Sequence, residues 1–321
     1  MKRIFKIILL VATILLGFMY TDGFFEFKKT PVGASTVDVD KVQMRKDVVS
    51  LSSLDADGEN SLGVDERPLF IQKRFKDNGC DAVMQEYLAE GNRWNNVICR
   101  LGPKDGKPIV IGAHFDVYEE MPGADDNSSG VAGLLELTRL LKANEKKLTR
   151  PVELVAYNLE EPPYFRTEHM GSAHHAKSLK NKKIDIEFMI SLEMIGFFTD
   201  EKDSQKYPSK ILEMTYPDTG DFIAVVGRIG QGSYVTKAKQ LMIKNGGGLK
   251  VEKLIAPKSM VGVDFSDHLN YWDHDFNAIM ITDTAFYRNP NYHRMSDTVE
   301  TLDFDRMAQV VQGVYGLVLE W

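Results

Sequence analysis

Five short segments of this chain combine histidine or carboxylate side chains with the spacing that metal chemistry needs. His114 closes the run KPIVIGA, and Asp116 follows two residues later. A neutral imidazole in that position can bind a metal while a nearby carboxylate accepts its other N–H and fixes the tautomer. The segment PGADDNSSG carries Asp125 and Asp126 on a tight turn leading into a helix, where one carboxylate could use both oxygens to bridge two cations. Glu160 and Glu161 are adjacent at the end of VELVAYNL, so their side chains point different ways, one towards metal and one towards substrate. Glu193 closes the third run, and Tyr292, His293 and Asp297 fall in NPNYHRMSDT. Two histidines and three carboxylates on different strand ends suit a two-metal hydrolytic site. Zinc takes nitrogen and oxygen ligands at roughly 2.0–2.2 Å. Two ions about 3.5–4 Å apart polarise a carbonyl and bind the attacking water, and a further glutamate can take the proton of that water.

Such groups meet only if strands deliver them to one edge of a sheet. Val97–Leu101, Lys107–Ala113, Val152–Leu159, Ile184–Met194, Asp221–Gly227, Val251–Ile255 and Ala278–Asp283 read as strands. Ser61–Asp77, Ser128–Ala143, Tyr234–Lys244 and Asp303–Leu319 carry helical spacing. The alternation predicts an α/β fold, a three-layer α/β/α domain around a central mixed, mostly parallel sheet. In open α/β sheets the ligand site lies outside the carboxyl ends of the strands, where these polar segments stand. Thr199–Tyr216 is polar and irregular, and with Gly246–Gly248 it reads as loop or insertion.

The bulk numbers fit one large domain behind an export segment. The chain has 321 residues, 43% hydrophobic and 26% charged, as in ordinary globular proteins. A net charge of −7 argues against a nucleic-acid partner, which would call for a basic surface. Lys2, Arg3 and Lys6 precede the apolar run Ile7–Tyr20, the order of a signal peptide. The run is short for a membrane span. Residues 1–20 therefore read as a signal peptide or an N-terminal membrane tether, 21–42 as a linker, and 43–321 as the catalytic domain of an exported, periplasmic or extracellular protein. Cys80 and Cys99 are open to two readings, a disulfide or two buried free thiols, and neither has a second cysteine at metal-ligand spacing.

In their order and spacing, these segments resemble the zinc aminopeptidase family that includes bacterial leucyl aminopeptidases, with glutamate carboxypeptidase and glutaminyl cyclase as more distant members. The resemblance runs from about Lys107 to the C-terminus. It rests on GAHFD, PGADDNSSGVAGLLEL, EEPP with the following MGS, SLEMIG, SDH at Ser266–His268, and YHRMSDT. It implies a metal-dependent exopeptidase, read as an aminopeptidase, with two zinc ions and a peptide substrate. His114, Asp126 and Glu193 would hold one zinc, and Asp126, Glu161 and His293 the other, with Asp126 bridging. Glu160 would be the general base, Asp116 would support His114, Tyr292 would stabilise the oxyanion, and the Asp126–Asn127 peptide would be cis. One departure stands out: the family most often has Asp where this chain has Glu193, which is one methylene longer.

The neighbouring residues take blander readings. Asp125 reads as a turn or cap residue. His169, His174 and His175 read as exposed helix residues. Asp267 and His268 read as pocket wall or as support for the ligands, Asp297 as a cap of the final helix, and Asp283 and Arg288 as lining of the substrate pocket. Two rival functions use the same fold. A glutaminyl cyclase works with one zinc and tends to carry Ser after the bridging Asp and Trp before the last His, where this chain has Asn127 and Tyr292. A non-catalytic binding ectodomain like transferrin receptor would lack ligands, whereas all five and the base are present here.

Overall fold

The runs IVIGAH, VELVAY and FMISLE are apolar or small along their whole length, the pattern of strands covered on both faces. In the computed structural model, which describes residues 37–52 and 66–321, every residue of these three runs is buried. They form β3 (Ile109–His114), β4 (Val152–Tyr157) and β5 (Phe188–Glu193). An outer hairpin, β1 (Val83–Ala89) and β2 (Asn92–Leu101), joins β6 (Phe222–Arg228), β7 (Lys250–Ala256) and β8 (Ala278–Thr282) in one sheet of order β1-β2-β4-β3-β5-β8-β6-β7. The pairs β3–β4, β3–β5, β5–β8 and β6–β7 are parallel, and β1–β2, β2–β4 and β6–β8 are antiparallel. The mixed, mostly parallel α/β sheet expected from the sequence is therefore present.

Helices cover both faces. On one side α1 (Lys41–Ser52), α2 (Glu66–Asp77), α3 (Gly130–Ala143), α6 (Gly232–Asn245) and α8 (Phe304–Glu320) enclose the larger apolar core, which includes Leu134, Leu135, Ile111 and Val310. On the other side α4 (Gly171–Asn181) and α7 (His268–Asp273) cover a smaller core around Val155, Met189, Tyr157 and Trp272. A short helix, α5 (Lys210–Thr215), lies in the polar stretch read as a loop. It forms because the Ser209 hydroxyl caps it, accepting the Leu212 N–H.

The hairpin strand β1 was not legible in the sequence, because at the sheet edge most of its residues are exposed or half-buried and the alternation is weak; a two-residue turn joins it to β2. Glu90 and Gly91 both take positive φ, 51° and 82°, as such a tight turn requires. Helix α2 occupies the end of the predicted helical stretch, while its residues 61–65 lie outside the described residues. So do the export segment and residues 21–36 of the linker. Val37 and Val39 pack against the core ahead of α1. No helix among the described residues is long and apolar enough to cross a membrane.

Cys80 and Cys99, left open between pair and free thiols, form a disulfide that ties the chain after α2 to β2. It closes a loop with a sequence separation of 19. Chain-entropy arguments give about 3 kcal/mol for a loop of this size. The double variant Cys80→Ala/Cys99→Ala should therefore unfold at lower urea concentration, with a stability loss of about 3 kcal/mol. An unchanged midpoint would mean that the disulfide does not restrict the unfolded chain.

Candidate active site

The parallel strands β4, β3, β5 and β8 end together, and the polar segments converge there. His114 is the last residue of β3 and Glu193 the last of β5. Glu160 and Glu161 follow β4, and His293 arrives on the loop after β8. Asp126 comes from the irregular turn 124–129, which feeds directly into α3.

Ligand-sized spacing runs through the cluster. His114 Nε2 lies 3.4 Å from Asp126 Oδ1 and 3.5 Å from Glu193 Oε2. His293 Nε2 lies 3.1 Å from Asp126 Oδ2 and 3.3 Å from Glu161 Oε1. Two ligand atoms held tetrahedrally by one zinc stand about 3.4 Å apart, given bonds of roughly 2.0–2.1 Å. The observed separations match that edge and exceed an ordinary charged hydrogen bond of about 2.8 Å. His114 Nε2, His293 Nε2 and Glu161 Oε1 are buried without a hydrogen-bond partner. Buried polar atoms that face each other at this distance and share no proton fit a cation between them. Two groups could each hold one ion, His114–Asp126–Glu193 and Asp126–Glu161–His293, and they share Asp126. Glu160 lies beside the first, its Oε2 3.9 Å from His114 Nε2, and a third combination, His114–Glu160–Glu161, is also close enough to bind.

The electrostatics express the same crowding. Burial opposes charge on Asp126, but His114 and His293 outweigh it and hold its pKa down at about 2. Burial, with Asp126 alongside, pushes Glu161 up to about 8. Burial lifts Glu160 well above the ordinary carboxylate range, helped by Glu161 and Glu193 and opposed by His114. Burial would lower His293, yet Asp126 and Glu161 raise it to about 9. Metal ligands must be deprotonated to bind, so raised pKa values at Glu161 and His293 would couple metal binding to proton release.

The surrounding residues fall partly as expected. The Asp126–Asn127 peptide is cis. Asp116 supports two ligand segments at once: its backbone carbonyl lies 3.2 Å from His114 Nδ1, and its carboxylate accepts the Glu161 N–H at 2.9 Å. Tyr292 stacks on His293 with ring centroids 3.8 Å apart. Tyr118, which the sequence did not single out, stacks on the other face at 4.0 Å. His293 is thus held between two tyrosine rings. Burial raises the Tyr292 hydroxyl well above its usual range, so it remains a proton donor.

Asp125 turns away from the cluster. Its Oδ1 accepts the Gly196 N–H at 2.9 Å and its Oδ2 accepts an Asn289 amide hydrogen at 2.7 Å. His268 joins no ligand group; its Nε2 lies 2.8 Å from the Val263 carbonyl. Asp267 also stands outside those groups and is fully buried, which raises its pKa to about 7.

Three expectations are corrected. Asp297 does not cap the final helix; Asp303 does, accepting the Asp305 and Arg306 N–H groups. Asp297 instead accepts the Asp125 N–H at 3.0 Å and the Asp126 N–H at 3.1 Å, because the loop carrying His293 folds back over the turn. His175 is buried rather than exposed: α4 faces it to the sheet, where it meets Glu153 at 2.7 Å and Tyr271 Oη at 2.6 Å. His169 and His174 are half-buried, with His174 stacked on Tyr87. Asp283 and Arg288 are buried and do not line the apolar cavity beside Glu193, because their polar atoms are turned to nearby backbone and to Gln205. Asp283 accepts the Phe197 and Ala285 N–H groups, and Arg288 donates to the Phe222 carbonyl at 2.7 Å. The apolar cavity beside Glu193 is lined instead by Tyr207, Leu212, Phe222, Leu254, Phe265 and Met280, among others.

The two roles of aspartate make a direct test. Asp297→Ala leaves two buried backbone N–H groups without acceptors, at about 1–3 kcal/mol each. It should destabilise the protein by roughly 3 kcal/mol in denaturant unfolding, against about 1 kcal/mol for Asp303→Ala, the helix cap. Equal losses would contradict the placement of Asp297.

Known proteins share this arrangement of sequence and fold. The profile of Peptidase family M28 matches residues 96–318. Uncharacterized protein YfbL of Escherichia coli (strain K12) is 48% identical over 257 residues, covering 78% of each chain. Leucine aminopeptidase 1 of Paracoccidioides brasiliensis (strain Pb03) is 26% identical over 240 residues, covering 70% of this chain. The alignment covers 55% of that relative, so this chain matches about half its length. The solved structure of the Legionella pneumophila LapA aminopeptidase has a TM-score of 0.66 at 19% identity, over 88% of this chain and 72% of that one, which is a likeness of fold. With the profile spanning most of the chain, and every group of the converging cluster inside it, this chain belongs to peptidase family M28 and is a metal-dependent peptidase.

Proposed function

We propose that this peptidase is a two-zinc exopeptidase, acting as an aminopeptidase, with Glu160 as its general base. The observation that carries this reading is Asp126, whose two oxygens face different histidines, Oδ1 towards His114 and Oδ2 towards His293. In this reading His114, Asp126 and Glu193 hold one zinc, and Asp126, Glu161 and His293 hold the other. The ions, when bound, polarise the scissile carbonyl and make a water acidic near neutral pH.

The remaining work falls to the chain. Glu160 is buried at the edge of the cluster, where its carboxylate takes a proton from the attacking water and passes it to the leaving amine. Tyr292 keeps its proton and donates a hydrogen bond to the oxygen that gains charge as the carbonyl becomes tetrahedral. Asp116 holds the backbone of Glu161 and the ring of His114 together, so both half-sites keep their spacing. The cavity beside Glu193 has a volume of about 80 Å³, and its lining suits a large apolar side chain on the terminal residue of the peptide.

The positively charged start and apolar run at residues 1–20 support export ahead of a catalytic domain at 43–321, and the Cys80–Cys99 pair suits an oxidising compartment. A tether to the membrane through residues 1–20 is part of the same proposal.

Purified protein should contain two zinc ions per chain by elemental analysis and cleave amino-acid anilides. Glu160→Gln should keep the zinc and lose about 10²–10⁴-fold in kcat, the range for a general base. Loss of zinc in that variant, or retained activity, would remove Glu160 from this role. Leucine and phenylalanine anilides should exceed alanine anilide in kcat/KM by about 10-fold or more, the scale of apolar discrimination. A preference for charged terminal residues would contradict the cavity assignment.

A further inference from the structure

Arg166 is held against its backbone preference on the loop that follows the two glutamates of the cluster. Its φ is 61°, in the left-handed region that residues with side chains seldom occupy. Strain of this kind gathers where a side chain has to be presented in one place. The loop starts directly after Glu160 and Glu161 and is turned back by the Tyr164 and Phe165 N–H groups, which both donate to the Glu161 carbonyl. The Arg166 N–H donates to the Met170 sulfur at 3.2 Å and closes it. The Arg166 side chain is fixed as well. Its guanidinium lies 4.9 Å from the ring centroid of Phe265 and 5.1 Å from that of Phe165. One of its Nη atoms donates to Oδ1 of the buried Asp264 at 2.5 Å. That bond uses one of five N–H donors. The others make no hydrogen bond among the described residues, and the side chain is 48% exposed. A guanidinium oriented by two rings and one carboxylate, with donors left over towards solvent, is a preorganised fork for a second carboxylate.

Phe265 ties this fork to the chemistry. Its ring lines the apolar cavity beside Glu193, and the next residue, Ser266, donates to Glu193 Oε2 at 2.7 Å. From Phe265 the ring contacts continue to Phe286 at 5.7 Å and from Phe286 to Tyr292 at 5.5 Å, and Tyr292 stacks on His293. Arg166 and the cavity therefore share one wall, and only two ring-to-ring steps separate Phe265 from the candidate oxyanion donor. An extended peptide advances about 3.3–3.6 Å per residue. A chain whose first side chain fills the cavity needs only two or three residues to bring its far end to Arg166. We infer that Arg166 is a specificity residue that binds the free C-terminal carboxylate of a short peptide, so that the preferred substrates are di- and tripeptides. The inference rests on the aminopeptidase reading proposed above and names its substrate class.

The test is the initial rate of leucine release from Leu-Ala, Leu-Ala-Ala and a hexapeptide of leucine followed by alanines, each as the free acid and as the C-terminal amide. Wild type should favour the acid of the di- or tripeptide over its amide by about 10- to 100-fold in kcat/KM, the scale of a hydrogen bond between charged groups. The hexapeptide acid and amide should be cleaved alike, because the carboxylate of the longer chain lies beyond Arg166. Arg166→Met should bring the acid-to-amide ratio of the short peptides close to one, with the change in KM rather than kcat, as for binding shared by ground and transition states. Arg166→Lys should recover only part of the ratio, since an ammonium keeps the charge without the fork. A residue that merely straps two loops together would change acid and amide equally and leave the ratio where it was. If Arg166→Met does not fold, Arg166→Lys and the wild-type ratios decide. Wild type that releases leucine from none of these peptides would overturn the aminopeptidase reading itself. Release with equal kcat/KM for acid and amide, a preference that persists in the hexapeptide, or a ratio unmoved in Arg166→Met would overturn only the role of Arg166.

Discussion

Four carboxylates and two imidazoles occupy one buried space in this fold, and that crowding sets the terms for everything around it. Asp126, Glu160, Glu161 and Glu193 are each less than a tenth exposed, and His114 is fully enclosed. Carboxylates this close cannot all carry charge unless protons or cations compensate them. The histidines do so in part, drawing Asp126 down while Glu160 and Glu161 are pushed up. A pair of divalent ions would satisfy the same oxygens with less compromise. Such a cluster is unfavourable by itself, so its cost is offset elsewhere, by two apolar layers on a sheet whose central strands are buried on both faces.

The position of each ligand is fixed by backbone as much as by side chain. The turn 124–129 departs from helical geometry at Asp126 and Asn127, and it is tied from three directions. Asp297 accepts its N–H groups from the His293 loop. Asp125 reaches Gly196 after β5 and Asn289 after β8. The Ser129 hydroxyl donates to the Asp125 carbonyl and accepts the Ile195 N–H. The bridging candidate, the His293 loop and the end of β5 are therefore parts of one hydrogen-bonded unit. Gly123, at φ 62°, begins the turn where a side chain would collide with the Asp126 carbonyl and Val117.

Legibility in the sequence followed the range of the interactions involved. Buried central strands announce themselves as unbroken apolar runs, and the residues at their ends came together as expected. The roles of Asp297, His175 and Arg288 were misread because each depends on a partner far away in the chain. Asp297 bonds residues more than 170 positions earlier, and Arg288 spends its charge on a carbonyl 66 positions away. A capping aspartate and a clamping aspartate look identical in one dimension. Strand β1 failed for a different reason: it lies at the sheet edge, where half-exposed residues weaken the alternation. The SDH segment was noticed, but for Asp267 and His268, while the serine before them makes the contact with Glu193.

The number of ions this site can hold turns on the group His114–Asp126–Glu193. Asn127 bears on it directly. Its side-chain amide donates to the Leu192 carbonyl at 2.9 Å, and its side-chain oxygen accepts the Met194 N–H at 3.0 Å and the Gly130 N–H at 3.2 Å. Leu192 and Met194 flank Glu193, so one amide grips the backbone on both sides of that ligand. A serine, the residue the cyclases tend to carry there, has a single short hydroxyl and could not span both contacts. Gly130 completes the fit, since a Cβ there would strike the Asn127 side chain and the Leu192 carbonyl. Asn127 therefore does for the backbone of Glu193 what Ser266 does for its carboxylate. Two buried side chains thus fix this one glutamate, which supports the two-ion reading proposed above.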